Sequence, residues 1–156
     1  MLEQINNLFS NYVLMTSVSA WFAAQIIKMI ITLIKEKEFK PVLILFSCGG
    51  MPSSHTSTVS SLLTASAIMF GLGSFEFAVS FILTMVVITD ALGVRREAGK
   101  HAKVLNRIVE EIFSGDSERS ERALKELVGH TPFQVAMGAV VGVCTAVLMA
   151  LAMGVI

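Results

Sequence analysis

Charged side chains are what this sequence has least of. They make up 15% of its 156 residues, and the 12 Lys and Arg balance the 12 Asp and Glu. A chain with no net charge has no field with which to hold a polyanion, which excludes nucleic acid as a partner. Cysteine is scarce too: Cys48 and Cys144 stand far apart, with no Cys-x-x-Cys spacing. That excludes a disulfide framework and a zinc site, and both thiols are expected to be buried. The first eleven residues hold Glu3 and no Lys or Arg. The positive n-region of a cleaved signal peptide is therefore missing, so the first hydrophobic segment is expected to stay in the mature protein. Neither an internal repeat nor a low-complexity tract is present.

What the chain has in excess is apolar surface, with 54% hydrophobic residues and a mean hydropathy of +0.72. This composition predicts one integral membrane domain, 1–156, of all-α class, because backbone inside lipid must satisfy its own hydrogen bonds. About 20 apolar residues cross a bilayer core, and four segments qualify. Tyr12 to Ile34 holds one charge, Lys28; Thr56 to Phe75 holds none, and the glycines of a tight Gly71-Leu72-Gly73-Ser74 turn are expected to end this second span. Phe77 to Thr89, extendable to Val94, lies between Glu76 and Asp90, and Thr131 to Ile156 is uncharged. Pro41 to Met51 is too short to span and reads as a re-entrant or half-span lead-in. Eleven of the 12 basic residues fall between spans 1 and 2 or between spans 3 and 4. Since Lys and Arg favour the cytoplasmic side, both loops are expected in the cytoplasm and both termini outside, in a multi-pass protein of the cell (inner) membrane.

The long basic loop carries its own pattern. Apolar residues at helical spacing predict an amphipathic helix over Arg95 to Phe113, broken by Gly115-Asp116, with a shorter helix from Ser117 to before Gly129. Thr131-Pro132 is an N-cap with Pro at the first helical position, opening the last span. That span places Gly138, Gly142, Ala146, Ala150 and Gly154 at every fourth position. Such a stripe lets another helix approach closely, whether within one chain or in a homodimer.

Polar residues inside spans mark the candidate site. Trp21, Gln25, Lys28 and Thr32 share one face of span 1. Lys28 either snorkels to the interface or serves as an interior cation for an anion. Gly49-Gly50-Met51-Pro52-Ser53-Ser54-His55 enters span 2. Its glycines permit close backbone approach, and Ser53 or Ser54 can cap the new helix. A helix N-terminus offers unpaired N–H groups and the positive dipole end to a phosphate, and His55 in the first turn can exchange a proton with it. The plainer alternative is an ordinary cap with a surface histidine. Asp90, Arg95 and Arg96 follow span 3, where the arginines are either topology anchors or a fork for phosphate oxygens. His101 and His130 lie on the same side as His55.

These residues also carry a resemblance. From Ala20 to Gly142 the chain resembles the divergent branch of the type 2 phosphatidic acid phosphatase superfamily. The pieces are Ala20-Trp21-Phe22-Ala23-Ala24-Gln25 with Lys28, the run from Gly49 to His55, Asp90-Ala91-Leu92-Gly93-Val94-Arg95-Arg96 with Gly99 and Leu105-Asn106, and Gly129-His130-Thr131-Pro132. The main superfamily has the motifs Lys-x6-Arg-Pro, Pro-Ser-Gly-His and Ser-Arg-x5-His-x3-Asp. Here Lys35 replaces the first Arg without a following Pro, Ser54 replaces Gly, Val94 replaces Ser, and Leu105 stands at the Asp position beside Asn106. Gln can occupy the His101 position in relatives of this branch, which makes His130 its rival as nucleophile.

The resemblance implies a lipid-phosphate phosphatase acting on a membrane lipid with a phosphate head group, without metal or other cofactor. Its catalytic candidates are His55, His130, His101 and Asp90. Lys28, Ser53, Ser54, Arg95 and Arg96 would bind phosphate, and Gly49, Gly50, Pro52 and Asn106 would shape the site. The competing expectation is a non-catalytic membrane protein that binds or moves anionic phospholipids.

Overall fold

The computed structural model describes residues 1–36, 50–93, 97, 99, 101–102, 104–108 and 130–156. Five helices carry the fold: α1 (Leu2–Phe9), α2 (Tyr12–Glu36), α3 (Ser54–Phe70), α4 (Phe75–Leu92) and α5 (Pro132–Ala152), and no strand occurs among the described residues. The expected lead-in from Pro41 lies outside them up to Gly49, as does the second loop helix. Of the expected amphipathic helix, residues 97, 99, 101–102 and 104–108 are described and helical.

Caps set the boundaries. Ser53 caps α3 and accepts from the Thr56 N–H, and Ser74 does the same for α4 toward Phe77. Thr131 and Gln134 form a reciprocal capping box on α5, with Pro132 in the first turn. The uncharged stretch from Thr56 to Phe75 is not one helix. Gly71, at φ +82°, ends α3 and turns the chain into the Ser74 cap. The 17 residues of α3 therefore rise only about 26 Å. Among the described residues, three helical segments are long and apolar enough to cross a membrane: Tyr12–Ile34, Phe75–Leu92 and Pro132–Ala152.

The shorter α3 is the centre of the bundle, packing against α2, α4 and α5, while α2 also packs on α5. The hydrogen bonds give the register. Ser57 Oγ donates to the Ala20 carbonyl at 3.0 Å and Thr84 Oγ1 to the Val59 carbonyl at 3.0 Å; Ser66 and Ser80 hydroxyls meet at 2.9 Å, and Tyr12 donates to the Ala146 carbonyl at 2.9 Å. These pairings run α2 and α4 antiparallel to α3, and α2 antiparallel to α5. The heads of α3 and α5 thus share one end of the bundle with the C-terminal ends of α2 and α4.

Burial is distributed as lipid solvent requires. Ala20, Ala24, Ala65, Ala146 and Ala150 are buried alongside Thr16, Thr56, Ser57 and Ser61, while Phe22, Ile26, Ile82, Val86 and Leu148 face outward. Between helices in a bilayer no hydrophobic force operates, so close contact and hydroxyl bonds do the joining. Cys144 corrects one expectation: its thiol is free and exposed on α5. A lipid-facing position satisfies an apolar thiol without interior burial. Cys48 lies outside the described residues.

The small-residue stripe finds its partner within the chain. Gly138, Gly142, Ala146 and Ala150 are buried. A Cβ added at Gly138 would meet the Ser53 carbonyl oxygen at 2.5 Å, and one at Gly142 would collide with the Ser57 carbonyl oxygen and approach the Ser61 nitrogen to 2.9 Å. The fifth member, Gly154, lies past the end of α5 and is exposed. Those contacts are with backbone, which no rotamer change relieves. Gly142→Ala is therefore expected to cost about 3 kcal/mol of overpacking, the upper end for a clash with backbone on two sides, well beyond the roughly 1 kcal/mol of gained helix propensity. Thermal unfolding in detergent should show a lower midpoint, with Gly73→Ala, at an open turn position, unchanged. An unaltered Gly142→Ala midpoint contradicts the packing.

Candidate functional site

At the shared end of the bundle, the chain returns to the described structure at Gly50. This residue has φ +86°, a conformation open to glycine, and a Cβ there would lie 3.3 Å from the Lys28 Cγ and Cδ. The start of the motif thus lies over the aliphatic stem of Lys28. Lys28 itself is only 3% exposed, eight residues before the end of α2. Of the two readings of this lysine, the interior one describes its position: the ammonium is held within the bundle end rather than extended along its surface.

From Gly50 the chain passes through a cis Met51-Pro52 bond into α3. Pro52 and Ser53 are fully buried. Ser53 Oγ accepts from both the Thr56 N–H (3.4 Å) and the Thr56 hydroxyl (3.0 Å), so the Ser53 side chain serves as a cap. Its backbone N–H donates to the Gln134 carbonyl at 3.1 Å, tying the head of α3 to the first turn of α5. Ser54 is buried as well. His55 is exposed in the first turn of α3.

The second histidine arrives with α5. His130 immediately precedes the Thr131 cap and is 3% exposed. Its ring lies edge-on to that of His55, with 6.3 Å between centroids. Gln134 holds both sides of this pair. Its side-chain oxygen accepts from the Thr131 N–H at 2.9 Å, next to His130, while its carbonyl holds Ser53, two residues before His55. Two helix N-termini, two imidazoles and a buried ammonium therefore occupy one end of the bundle. Such an arrangement can receive an anion at the helix heads, neutralise part of its charge and exchange protons with it.

The remaining candidates sort by position. Asp90 is half-buried near the C-terminal end of α4, at the same end of the bundle. His101 is exposed and helical, and Asn106 is helical and half-buried, with Leu105 exposed beside it. Gly49, Arg95 and Arg96 lie outside the described residues. Thr56 and Gln134 were not among the residues expected from sequence to shape this site. Gln134 had a readable signal, since Thr131-Pro132-Phe133-Gln134 fits the Ser/Thr-x-x-Glu/Gln capping box. Thr56 had none, because a hydroxyl bonding back to the cap residue has no sequence signature of its own.

No solved structure matches this chain. It is 36% identical over 153 residues to an uncharacterized membrane protein of Bacillus subtilis, YuiD, covering 92% of this chain and 96% of the relative. Residues 9–145 match the family described as the divergent PAP2 family. That stretch holds Lys28, the run from Gly50 to His55, and His130 in a single alignment, and by it this membrane protein belongs to the divergent PAP2 family.

Proposed function

We propose that this protein is an integral-membrane lipid-phosphate phosphatase. It would hydrolyse a phosphomonoester or diphosphate head group, of the phosphatidic acid, phosphatidylglycerol phosphate or polyprenyl phosphate type, through histidine chemistry. The observation that carries this reading is the pairing of His55 with His130 at 6.3 Å, at the heads of two helices and at the same end of the bundle as buried Lys28. Phosphoryl transfer asks chiefly for positioning and charge stabilisation. Lys28, the N–H groups at the head of α3, and Arg95 and Arg96 from the basic loop neutralise the phosphoryl oxygens. Neutral His130 attacks phosphorus and forms a phosphoramidate bond as the ester P–O bond breaks; His55, as imidazolium, gives its proton to the departing alkoxide. Neutral His55 then takes a proton from water, which attacks the phosphohistidine and returns His130. His101 is the rival nucleophile by motif spacing. His130 is preferred because it is buried beside His55, whereas His101 stands exposed.

The test is phosphate release from a panel of these lipids by purified protein in detergent between pH 5 and 8, with and without vanadate and EDTA. Vanadate should inhibit and EDTA should not. His55→Ala should stay folded in membranes while losing about a hundredfold or more of turnover, the scale of a positioned general acid. A fully active His55→Ala protein sinks the assignment. No release from any lipid, with anionic phospholipid co-purifying in a Lys28-dependent way, would favour the non-catalytic binding reading.

We also place α3 as a fourth span, shorter than the others, with the histidine end facing the cytoplasm and both termini outside. The excess of Lys and Arg in the two loops at that end supports this orientation. A helix of about 26 Å in a core of about 30 Å sets the site near the lipid phosphates. In a background with Cys48 and Cys144 replaced by Ser, a membrane-impermeant thiol reagent should label Ser74→Cys in intact cells and spare Ser117→Cys. The reverse pattern inverts the orientation.

A further inference from the structure

The end of the bundle opposite the histidines carries an element that the proposed chemistry does not use. Helix α1 (Leu2–Phe9) joins α2 through Ser10 and Asn11 alone. The junction is hydrogen-bonded throughout: Ser10 N–H to the Asn6 carbonyl at 3.0 Å, Asn11 N–H to the Leu8 carbonyl at 3.3 Å, and Leu14 N–H to Asn11 Oδ1 at 3.0 Å. The angle at which α1 leaves the first span is therefore defined, not that of a loose tail.

Glu3 to Phe9 are all exposed, and the two faces of α1 differ in what lies beside them. Asn7 and Ser10, on its polar side, line an open cleft of about 400 Å³ against the bundle, together with Asn11, Tyr12, Met69 and Phe70. Met1, Ile5, Leu8 and Phe9 share the other side by helical spacing and are exposed, Leu8 at 52% and Phe9 at 63%. In water an apolar stripe would fold onto the bundle. This one is exposed, as are Leu14, Val18 and Phe22 of the α2 helix that follows it. Only a medium that is itself apolar makes that exposure favourable, and α2 is already immersed in one.

We propose that α1 lies in the plane of the bilayer interface, its Ile5, Leu8 and Phe9 side chains inserted at the headgroup–acyl boundary of the leaflet opposite the histidines. The partner is the lipid surface. Glu3 is the one charged side chain in α1, so insertion depends on apolar area and not on attraction to anionic lipid. An interfacial helix of this kind buries its apolar face about 5–10 Å into that boundary. The cleft behind it then opens at headgroup depth.

Tryptophan quenching in nanodiscs tests this without reference to any catalytic activity. In a Trp21→Phe background, Leu8→Trp should be quenched by lipids brominated near the top of the acyl chain and shielded from aqueous acrylamide. Glu3→Trp should show the reverse, and Phe9→Trp gives an independent position on the apolar side. The lipid-to-acrylamide quenching ratio should be several-fold higher at positions 8 and 9 than at position 3, in neutral and anionic lipid alike. Equal acrylamide access at positions 3 and 8 would put α1 in water and overturn the proposal. Shielding of position 8 from both quenchers would place protein over it, such as a second copy of this chain, and would overturn it equally.

Discussion

Everything at the histidine end depends on how closely the backbones of α3 and α5 approach. At Gly138 and Gly142 there is no room for even one methyl group against the Ser53 and Ser57 carbonyls. That proximity lets the Ser53 N–H reach the Gln134 carbonyl and sets two helix heads side by side. With larger residues in the stripe the helices would part, and His55 and His130 would separate with them. The contact that stabilises the fold is thus the contact that assembles the site.

A bilayer makes this device necessary. Large side chains gain nothing from leaving lipid, so the interior is left to small and hydroxylated residues whose value lies in close approach and in hydrogen bonds across helices. The hydroxyls of Ser57, Ser66, Tyr12 and Thr84 each join two helices. Helix α3 is the least apolar of the four long helices because it is surrounded by the others. Its serines and threonines face protein, and the bulky residues of α2, α4 and α5 shield the bundle from lipid.

Much of this was legible in residue order. Apolar runs marked the three longest helices, Thr131-Pro132 marked the start of α5, and the serines before His55 marked the capped head of α3. The end of α3 was legible in the glycines of the Gly71-Leu72-Gly73-Ser74 turn, since glycine is the usual residue past a helix C-terminus. Other features depend on information that local sequence does not hold. The every-fourth-residue stripe on α5 says that something approaches closely, yet not what does, since α3 and a second protomer make the same demand. Lys28 could equally have snorkelled; its burial follows from Gly50 folding back over its stem. Cys144 looked buried because an apolar neighbourhood in sequence does not distinguish a protein interior from lipid. Neither α1 nor its orientation was anticipated, because eight residues are too few for a periodicity to stand out beside a long span.

Identification of the covalent intermediate would test the account most directly. Rapid acid-free quenching of purified protein with a lipid labelled in its terminal phosphate, followed by peptide mapping, reports which side chain carries the phosphoryl group. The account predicts an acid-labile phosphoryl group on His130, the imidazole that the α3–α5 contact sets beside His55. A label on His101, or phosphate released with no labelled histidine at all, would contradict it.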